Sequence, residues 1–314
     1  MSTLSQRLGL LHYLRLRSIP NRPTAYFKYV TGEVAKIILV NCTLRWSSPE
    51  RFNDPFDVQR DLDFGFDLQE LNGALVKEIT DLVLAKEAPD LSLQPATHFL
   101  VQHLRRSDRA DLRGIILAEL PELISEGSRR AEAIYRGIKD QWSAFIPEFR
   151  ILCLSAAQDN PVMWSHYSDS HRGAVLELHC TDKLRSPWSI AEPVTYQSSA
   201  PMLATVAEWA KMITGQTTLH PTIIFTKYAC TKSPEWAYER EWRVISFARR
   251  GEQSNFADYQ FYPPDLSAVY LGCEIPDEDA NDILGLLKHD FEHVRAYRAK
   301  KCKCDRKLLF ERIK

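Results

Sequence analysis

A long run of helical sequence separates two strand-rich parts of this chain, and this division limits the folds that it can adopt. Within residues 67–149, apolar side chains recur at helical spacing, as at Leu71 and Leu75, which places them on one face of a helix. Short strand-like runs occur in the two flanking parts, residues 1–66 and 150–314. We therefore predict one composite domain, an α+β core built from these two parts with a helical insertion between them.

The strand-like runs are spaced too irregularly for alternating β-α-β units, which favours a mixed, largely antiparallel sheet. The predicted strands are Tyr26–Val30, Thr43–Ser47, Ile151–Leu154, Gly173–Leu178, Pro193–Tyr196, Trp242–Phe247, Ala268–Leu271, Val294–Tyr297 and Leu308–Ile313. Short helices are expected at Pro161–Tyr167, Met202–Ile213 and Asp279–His289. The run Val34–Val40 fits either a helix or a buried strand, because periodicity does not separate the two over so few residues.

The composition is that of an ordinary globular protein, since 45% of the 314 residues are apolar and 26% are charged. A net charge of −1 argues against wholesale binding to nucleic acid or anionic lipid, although a local basic patch is compatible with it. No apolar run reaches the length of a membrane span, so no membrane partner is expected. The stretch Met1–Arg17 lacks the h-region of a secretory signal, and we expect an amphipathic helix there.

The cysteines indicate the redox environment. The chain has seven, an odd number scattered along its length and partly in apolar runs. This pattern is typical of free thiols in a reducing cytoplasm. Only Cys302 and Cys304 lie close together, and no second pair has ligand spacing, so no metal site is predicted.

Two glutamates stand at the start of a strand-like run in the segment Trp236–Phe247. In a strand, Glu239 and Glu241 point to one face and Trp242 to the other, and Arg243 then shares the carboxylate face. Carboxylates beside aromatic rings need charged or hydrogen-bonding partners, so this pair is a candidate site. The alternative is structural, with the glutamates paired to neighbouring arginines.

A second group of polar and aromatic side chains follows the strand that ends at Leu154. Its candidate ligand-binding residues are Ser155, Trp164, His166, Tyr167, His171 and Arg172. The two histidines lack metal-ligand spacing and the serines lack a nucleophile elbow. Each histidine taken alone fits a structural role, whereas their crowding with aromatic and basic side chains favours a site.

A third group is the turn that contains Asn53 and Asp54, followed by a proline that holds Asp54 extended. Phe52 and Phe56 flank this turn, and we expect them to pin it to the core. A rigid turn presents polar groups at fixed positions, so both polar residues are candidate ligands. The alternative is a capped turn with a purely structural role.

Taken in chain order, the three groups resemble a bacterial family of proteins of unknown function, DUF2971. The matching segments are Tyr26–Tyr29, Leu44–Pro49, Phe52–Asp57, Met163–Tyr167, His171–Gly173, Lys232–Ser233, Trp236–Arg243 and Tyr270–Gly272. They span most of the chain outside the helical insertion. The family name itself implies no activity.

The order of the groups is also similar to that of the ADP-ribosyltransferase fold, in which an aromatic and basic strand, a serine-rich aromatic motif and a strand with a catalytic glutamate build the site. Lys28 or Tyr29 would stand at the first motif, where Arg or His is usual, and Ser155 or Tyr167 at the second. Glu241, or Glu239, would stand at the third. This resemblance implies NAD as a substrate, transfer to a macromolecular acceptor or hydrolysis, and a role as a toxin or phage-defence effector.

The chemistry of that reaction fits the residue types. Cleavage of the nicotinamide–ribose bond passes through an oxocarbenium-like sugar, which a nearby carboxylate stabilises. We therefore predict Glu241, Glu239 and Tyr167 as catalytic residues. The predicted NAD-binding residues are Lys28, Tyr29, Asn53, Asp54, Ser155, Trp164, His166, His171, Arg172 and Arg243. If this is right, Glu241 faces a cleft walled by Lys28 or Tyr29, Ser155, the Trp164–Tyr167 turn, Asn53 and Asp54.

Two other functions fit the sequence. A nucleic-acid-binding or processing protein would need four basic segments to lie on one face, whereas separately solvated patches are the simpler interpretation. These segments are Arg105-Arg106, Arg129-Arg130, Arg249-Arg250 and Lys300-Lys301-Cys302-Lys303. A non-catalytic interaction module would use the helical insertion as its partner-binding element.

Overall fold

In the computed structural model, the described residues are 22–58, 62, 65–86, 93–106, 112–181, 186–218, 221–302, 304–305 and 307–314. The helix predicted at Met1–Arg17 lies outside them. The chain divides into two compact units. One comprises Met1–Val58, Ile146–Ser199 and Thr226–Lys314, and the other comprises Gln59–Phe145 and Ala200–Phe225.

The first unit holds the strands. These are β1 (Ala25–Val30), β2 (Thr43–Ser47), β3 (Phe149–Ser155), β4 (Ala174–His179), β5 (Glu192–Pro193), β6 (Thr195–Tyr196), β7 (Thr231–Lys232), β8 (Glu241–Phe247), β9 (Phe256–Gln260), β10 (Leu266–Leu271), β11 (Arg295–Lys301) and β12 (Leu308–Arg312). Its helices are α1 (Gly32–Asn41), α5 (Pro161–Tyr167) and α8 (Asp277–Leu286). Short 3-10 turns form at Pro49–Arg51, Ile146–Glu148, Pro187–Ile190, Pro234–Glu239 and Pro263–Asp265.

Ten strands form one sheet in the order β12-β11-β10-β4-β1-β3-β2-β9, and β8 extends it by pairing with β3 and β5. Among these pairs, β10 with β11 is parallel and the others are antiparallel. The short strands β6 and β7 form a separate parallel pair. The prediction of a mixed, largely antiparallel α+β fold is therefore confirmed.

The sheet opens at β3, where two strands share one edge. Phe27 of β1 is registered with Ser155, and Ser47 of β2 is registered with Ile151. β8 pairs along the whole of β3 on the other edge. Between its two contacts, the backbone near Cys153 therefore lies in the gap where β1 and β2 diverge.

The two faces of the sheet are packed differently. On one face, Ala35 and Ile38 of α1 and Ile283 of α8 join β4 and β10 residues such as Leu176 in the main apolar core. Lys36 also bonds Asp279 at 2.9 Å, which ties α1 to α8. The other face carries a smaller apolar cluster to which α5 contributes Met163 and Trp164. Alternation along each strand sends successive side chains to these two different environments.

Local sequence explains the elements that surround the gap. Thr31 accepts a hydrogen bond from the Val34 N–H at 3.2 Å and caps α1, so the ambiguous run Val34–Val40 is helical. Asn160 caps α5 by accepting from Val162 N–H at 2.9 Å, and Pro161 occupies the first helical position. This cap fixes the start of the helix that carries Tyr167.

The second unit is helical. It contains α2 (Leu68–Leu84), α3 (Pro95–Arg106), α4 (Leu112–Phe145) and α6 (Val206–Thr214), while α7 (Pro221–Ala229) crosses the boundary between the units in the chain. Capping boxes start α2 at Asp67 and α6 at Thr205. The segment Ala200–Phe225, which the sequence analysis grouped with the C-terminal part of the core, is clustered here. In the described ranges, no helix has the length and apolar composition that a bilayer span requires.

Candidate functional site

A cavity of about 440 Å³ lies in the first unit at the gap between β1 and β2. Strands β1, β2 and β3 supply part of its wall, and the remainder comes from α5, the Phe52–Asp57 turn and the segment around Glu239. The lining residues are Phe27, Lys28, Tyr29, Arg45, Ser47, Arg51, Phe52, Asn53, Asp57, Ile151, Cys153, Leu154, Ser155, Met163, His166, Tyr167, Lys232, Glu239 and Glu241. The three groups of polar residues identified in the sequence therefore meet at one cavity.

Helix α5 presents Tyr167 to this cavity because its opposite side is anchored. Trp164 is fully buried, and its indole N–H donates to the Gln158 carbonyl at 2.8 Å. The Tyr167 hydroxyl donates to Glu239 Oε1 at 2.6 Å and accepts from Asn53 Nδ2 at 3.3 Å. The hydroxyl thus links the Asn53 turn to the carboxylate.

The two glutamates reach the cavity in a way that the sequence analysis did not predict. Glu239 ends the 3-10 turn Pro234–Glu239, Arg240 has a left-handed φ of 45°, and Glu241 is the first residue of β8. The prediction that Glu239 and Glu241 share one face of a single strand is therefore wrong. Their side chains converge because the backbone turns at Arg240 before the strand begins.

Ser155 holds the turn against the sheet. Its hydroxyl donates to the Glu239 carbonyl at 2.7 Å and accepts from the Ala157 N–H at 3.1 Å. The Ser155 side chain is buried, and Ser155 in β3 is registered with Glu241 in β8. Ser155 therefore fixes the position of Glu239 relative to β3.

Arg243 binds two carboxylates at the base of the site. Its Nε donates to Glu241 Oε1 at 2.9 Å, and its Nη1 and Nη2 donate to Asp57 at 2.8 and 2.6 Å. Nη1 also donates to the Ala229 carbonyl at 2.7 Å, and the Phe52 ring lies 5.2 Å from the guanidinium. As predicted from strand alternation, Arg243 shares the carboxylate face while Trp242 packs into the main core.

Lys232 supplies the second positive charge. Its Nζ lies 2.6 Å from Glu239 Oε2, 3.3 Å from Glu241 Oε2 and 3.6 Å from Asp57 Oδ2. The Trp236 ring lies 4.6 Å from the ammonium. All five charged groups are almost fully buried, so the network holds three carboxylates against two cations in a region of low dielectric constant.

This arrangement drives the two glutamate pKa values apart. Burial opposes ionisation of Glu241, but the charges of Arg243 and Lys232 outweigh burial and lower its pKa to about 2. Burial and the neighbouring charge of Glu241 raise the pKa of Glu239 despite its bonds to Lys232 and Tyr167. Two carboxylates with opposite shifts, side by side in a cavity, are typical of groups that divide acid–base tasks.

Two basic side chains outside the ionic network, Lys28 and Arg51, also line the cavity. Lys28 donates from Nζ to the Cys153 carbonyl at 3.0 Å, in the gap of the sheet. Arg51 contacts Asn255 Oδ1 at 3.4 Å, and its guanidinium lies 5.1 Å from the Phe256 ring. Within the described part of the chain, neither of these two cations forms an ion pair.

Two further predicted site residues, Tyr29 and His166, line the cavity while bonding to neighbouring groups. Tyr29 lines the cavity, but its hydroxyl donates to the Ala157 carbonyl at 2.8 Å. His166 lines the cavity, with Nδ1 3.2 Å from the Tyr238 hydroxyl. Both are therefore placed at the wall, where a ligand can contact them.

Five predicted ligands do not line this cavity: Arg243, which binds Glu241 and Asp57, and four others. Trp164 is buried under α5, and Asp54 accepts from the Phe56 N–H at 2.9 Å within its own turn. Arg172 forms an exposed ion pair with Asp169 at 2.9 Å, and the His171 ring stacks on Trp164 at 6.2 Å. Their chemistry serves local structure. Phe56 is 75% exposed, so the expectation that it pins the turn to the core is also wrong.

Asp57 and Lys232, which complete the ionic network, were not predicted as site residues. Both lie inside segments that match the DUF2971 family, and this match was the one sequence feature that could have identified them as site residues. Neither has a local pattern that marks it as buried, because each is paired with residues far away in sequence. The exposed arginines Arg45 and Arg51, which also line the cavity, were not predicted as site residues either.

Comparison with known proteins gives one match. Residues 163–244 match the model of a family described as a protein of unknown function, DUF2971. No curated protein and no solved structure shows significant similarity to the chain. The matched region begins within α5 and includes Lys232, Glu239, Glu241 and Arg243. The resemblance to DUF2971 inferred from the sequence is confirmed over residues 163–244.

Proposed function

We propose that this chain is an ADP-ribosyltransferase-like enzyme, which cleaves the nicotinamide–ribose bond of NAD and passes ADP-ribose to a macromolecular acceptor or to water. The observation that carries the proposal is the convergence of Glu239, Glu241 and Tyr167 on one cavity. Lys28 and Arg51 also line this cavity, and neither forms an ion pair with another described residue. We also propose that the sheet, divided between β1 and β2 around this cavity, is a variant of the ADP-ribosyltransferase fold.

The size and lining of the cavity support a nucleotide ligand. Its volume of about 440 Å³ falls within the roughly 300–1,000 Å³ of small-molecule sites. Phe27, Phe52 and Tyr167 offer aromatic surface for a nicotinamide ring. Lys28 and Arg51 offer positive charge to the pyrophosphate, for which charged donors form the strongest hydrogen bonds.

The opposite pKa shifts suggest separate roles for the two glutamates. Glu241, whose pKa is about 2, stays ionised and stabilises positive charge that develops on the ribose. Glu239, whose pKa is raised, accepts a proton from the attacking water or acceptor group. Tyr167 orients Glu239 through their 2.6 Å hydrogen bond.

The reaction balances without a further reactant. The bond between ribose C1′ and the nicotinamide nitrogen breaks, and its electron pair stays on the nitrogen, so nicotinamide leaves as a neutral molecule. The acceptor oxygen or nitrogen then bonds to C1′ and gives its proton to Glu239. Stabilisation of the cationic sugar is the step for which the buried carboxylates are suited.

The biological setting follows from the same proposal. Consumption of NAD or modification of a macromolecule in the cytoplasm suits a bacterial toxin or an antiviral defence effector. All seven cysteines are free thiols, which supports a reducing compartment.

The direct test is to incubate the purified full chain with NAD and with NAD labelled in the adenylate half, in the presence of cell lysate. Release of nicotinamide and transfer of label are the expected results. Glu239→Gln should lower turnover by at least about 100-fold, the lower range for loss of a general base. Absence of NAD binding, nicotinamide release and label transfer would overturn the proposal.

A matched control separates chemistry from folding. Asp265 is fully buried and bonds the Thr181 N–H at 3.0 Å, but it does not line the cavity. Asp265→Asn also removes a buried carboxylate, so it should lower stability while turnover by the folded fraction stays near that of the wild type. Equal losses of turnover in both folded variants would assign a structural role to Glu239.

A further inference from the structure

The C-terminal hairpin formed by β11 and β12 concentrates the positive charge of the chain. Residues 295–314 contain nine lysines and arginines and two acidic side chains, although the whole chain has a net charge of −1. A charge concentration of this kind favours a polyanionic partner. The hairpin is described at 295–302, 304–305 and 307–314.

Aromatic and basic side chains share one face of this hairpin. The register pairs Tyr270 with Tyr297, Tyr297 with Arg312, Ala299 with Phe310 and Lys301 with Leu308. Paired residues of neighbouring strands point to the same face. Tyr297, Lys301, Phe310 and Arg312 therefore lie on the face that carries Tyr270.

The rings on this face form an ordered platform. The Tyr270 and Tyr297 rings stack with centroids 4.9 Å apart at 12°, and the Phe310 ring meets Tyr270 edge-on at 5.0 Å. Tyr297 and Phe310 are half-buried, whereas Lys301 and Arg312 are exposed. The rings are thus held in place by packing while part of their surface stays accessible.

Two acidic groups contact this face: Glu274 pairs with Lys301 at the surface, and Glu177 is turned inward. Glu177 is 6% exposed and accepts hydrogen bonds from the Tyr270 hydroxyl and from Ser267 at 2.9 Å. His179 lies 2.7 Å from it, and Arg295 lies 3.3 Å from it. The carboxylate is therefore compensated below the rings and does not repel an anion at the surface.

The packing beneath the platform extends to the cavity wall. Phe27 lines the cavity, and its ring lies 6.3 Å from that of Tyr270. The opposite face of β10 and β11 is covered, because Val269 and Ala296 pack with α8 in the main core. The accessible aromatic surface therefore lies at the hairpin, on the face that carries Tyr297 and Phe310.

We propose that this face binds single-stranded nucleic acid. Unpaired bases stack on accessible aromatic rings, and phosphates bind the lysines and arginines that surround the rings. A duplex hides its bases, so it would use the charges but not the rings. That the bound strand is also the acceptor of ADP-ribose rests on the proposed function, whereas the binding surface itself does not.

The test is fluorescence polarisation of labelled 12-mer single-stranded DNA and RNA, with a duplex of the same sequence for comparison, across a salt series and without NAD. Tyr297→Leu and Phe310→Leu should each weaken single-strand binding at least about fivefold, as expected when one stacked base is lost. Lys301→Ala with Arg312→Ala should flatten the dependence of log affinity on log salt by about 1.4, as expected for two lost phosphate contacts.

Matched charge controls lie in the helical unit. Lys77 and Arg129 are exposed, and each forms an ion pair with an acid on its own helix. They match Lys301 of β11, which is also exposed and forms an ion pair with Glu274. Lys77→Ala with Arg129→Ala should leave affinity and salt slope unchanged. No single-strand binding at low salt, equal binding of the duplex, or equal effects of the two double variants would overturn the proposal. Binding without NAD turnover would retain the surface and reject only the acceptor role.

Discussion

Replacing Glu241 with glutamine tests the buried ionic network most directly. The carboxylate accepts hydrogen bonds from Arg243 Nε and Nη2 at 2.9 and 3.0 Å and from Lys232 Nζ at 3.3 Å. Glutamine keeps the size of the side chain but removes its charge and turns one acceptor into a donor. We expect a loss of about 3–5 kcal/mol in the free energy of unfolding, the range for removal of one partner of a buried ion pair.

The pKa of Glu241 gives a second route to this magnitude. The folded-state pKa is about 2, compared with an ordinary value of 4.5, and each unit corresponds to about 1.4 kcal/mol, so ionised Glu241 contributes about 3 kcal/mol at neutral pH. Because the folded pKa is the lower one, this contribution is present above pH 4.5 and is lost as the pH falls towards 2. Linkage gives a loss of about 1.4 kcal/mol at pH 3.5.

The assay is urea unfolding followed by tryptophan fluorescence at pH 7 and pH 3.5. The stability difference between wild type and Glu241→Gln should be about 3 kcal/mol at pH 7 and smaller by about 1.4 kcal/mol at pH 3.5. Asp258→Asn is the control, because this carboxylate pairs with Arg45 at the surface at 2.9 Å and surface pairs contribute about 1 kcal/mol or less. A difference below about 1 kcal/mol at pH 7, or one that is constant with pH, would refute the buried-pair reasoning.

Three further predictions concern the elements around the cavity. Gly272→Ala should lower the free energy of unfolding by about 1–3 kcal/mol or more, because a Cβ there would lie 1.9 Å from the His171 carbonyl oxygen. Urea unfolding measures this loss, and an unchanged midpoint would contradict the close contact. Tyr167→Phe removes a hydrogen bond that lowers the pKa of Glu239, so the acidic limb of the NAD turnover profile should move to higher pH, and an unmoved limb would exclude Glu239 as the proton acceptor. Asn160→Ala should lower the free energy of unfolding by about 1 kcal/mol in the same urea titration, because the α5 cap is lost. Asn160→Asp should retain most of the stability that the cap contributes.

Local signals in the sequence were sufficient for elements that are specified locally. The helix Pro161–Tyr167 was predicted with the bounds that the structure has, since Asn160 and Pro161 are both helix-start residues. The strand Thr43–Ser47 was predicted equally well because its apolar residues alternate. In contrast, β9 was missed: its sequence, Phe256–Gln260, is polar at several positions, and its strand pairing is with β2.

The candidate site was predicted only in part because it depends on tertiary pairing. The residue types at Glu239, Glu241 and Tyr167 indicated a site, and the structure brings them together. The left-handed backbone at Arg240 had no sequence signal, because glycine or asparagine is the usual residue at such a φ. Asp57 and Arg243 bond across 186 positions of sequence, a pairing that no local pattern reveals.

The helical segment between β2 and β3 also has a consequence for synthesis of the protein. Roughly 100 residues separate these strands, and at about 5–20 residues per second a ribosome needs about 5–20 s to make them. During that time the apolar residues of β1 and β2, including Tyr26 and Leu44, which are buried in the finished sheet, have no partner strands to cover them. A nascent chain of this length is therefore expected to engage holding chaperones until β3 and β4 emerge, and the ionic network can close only after β8 has been made.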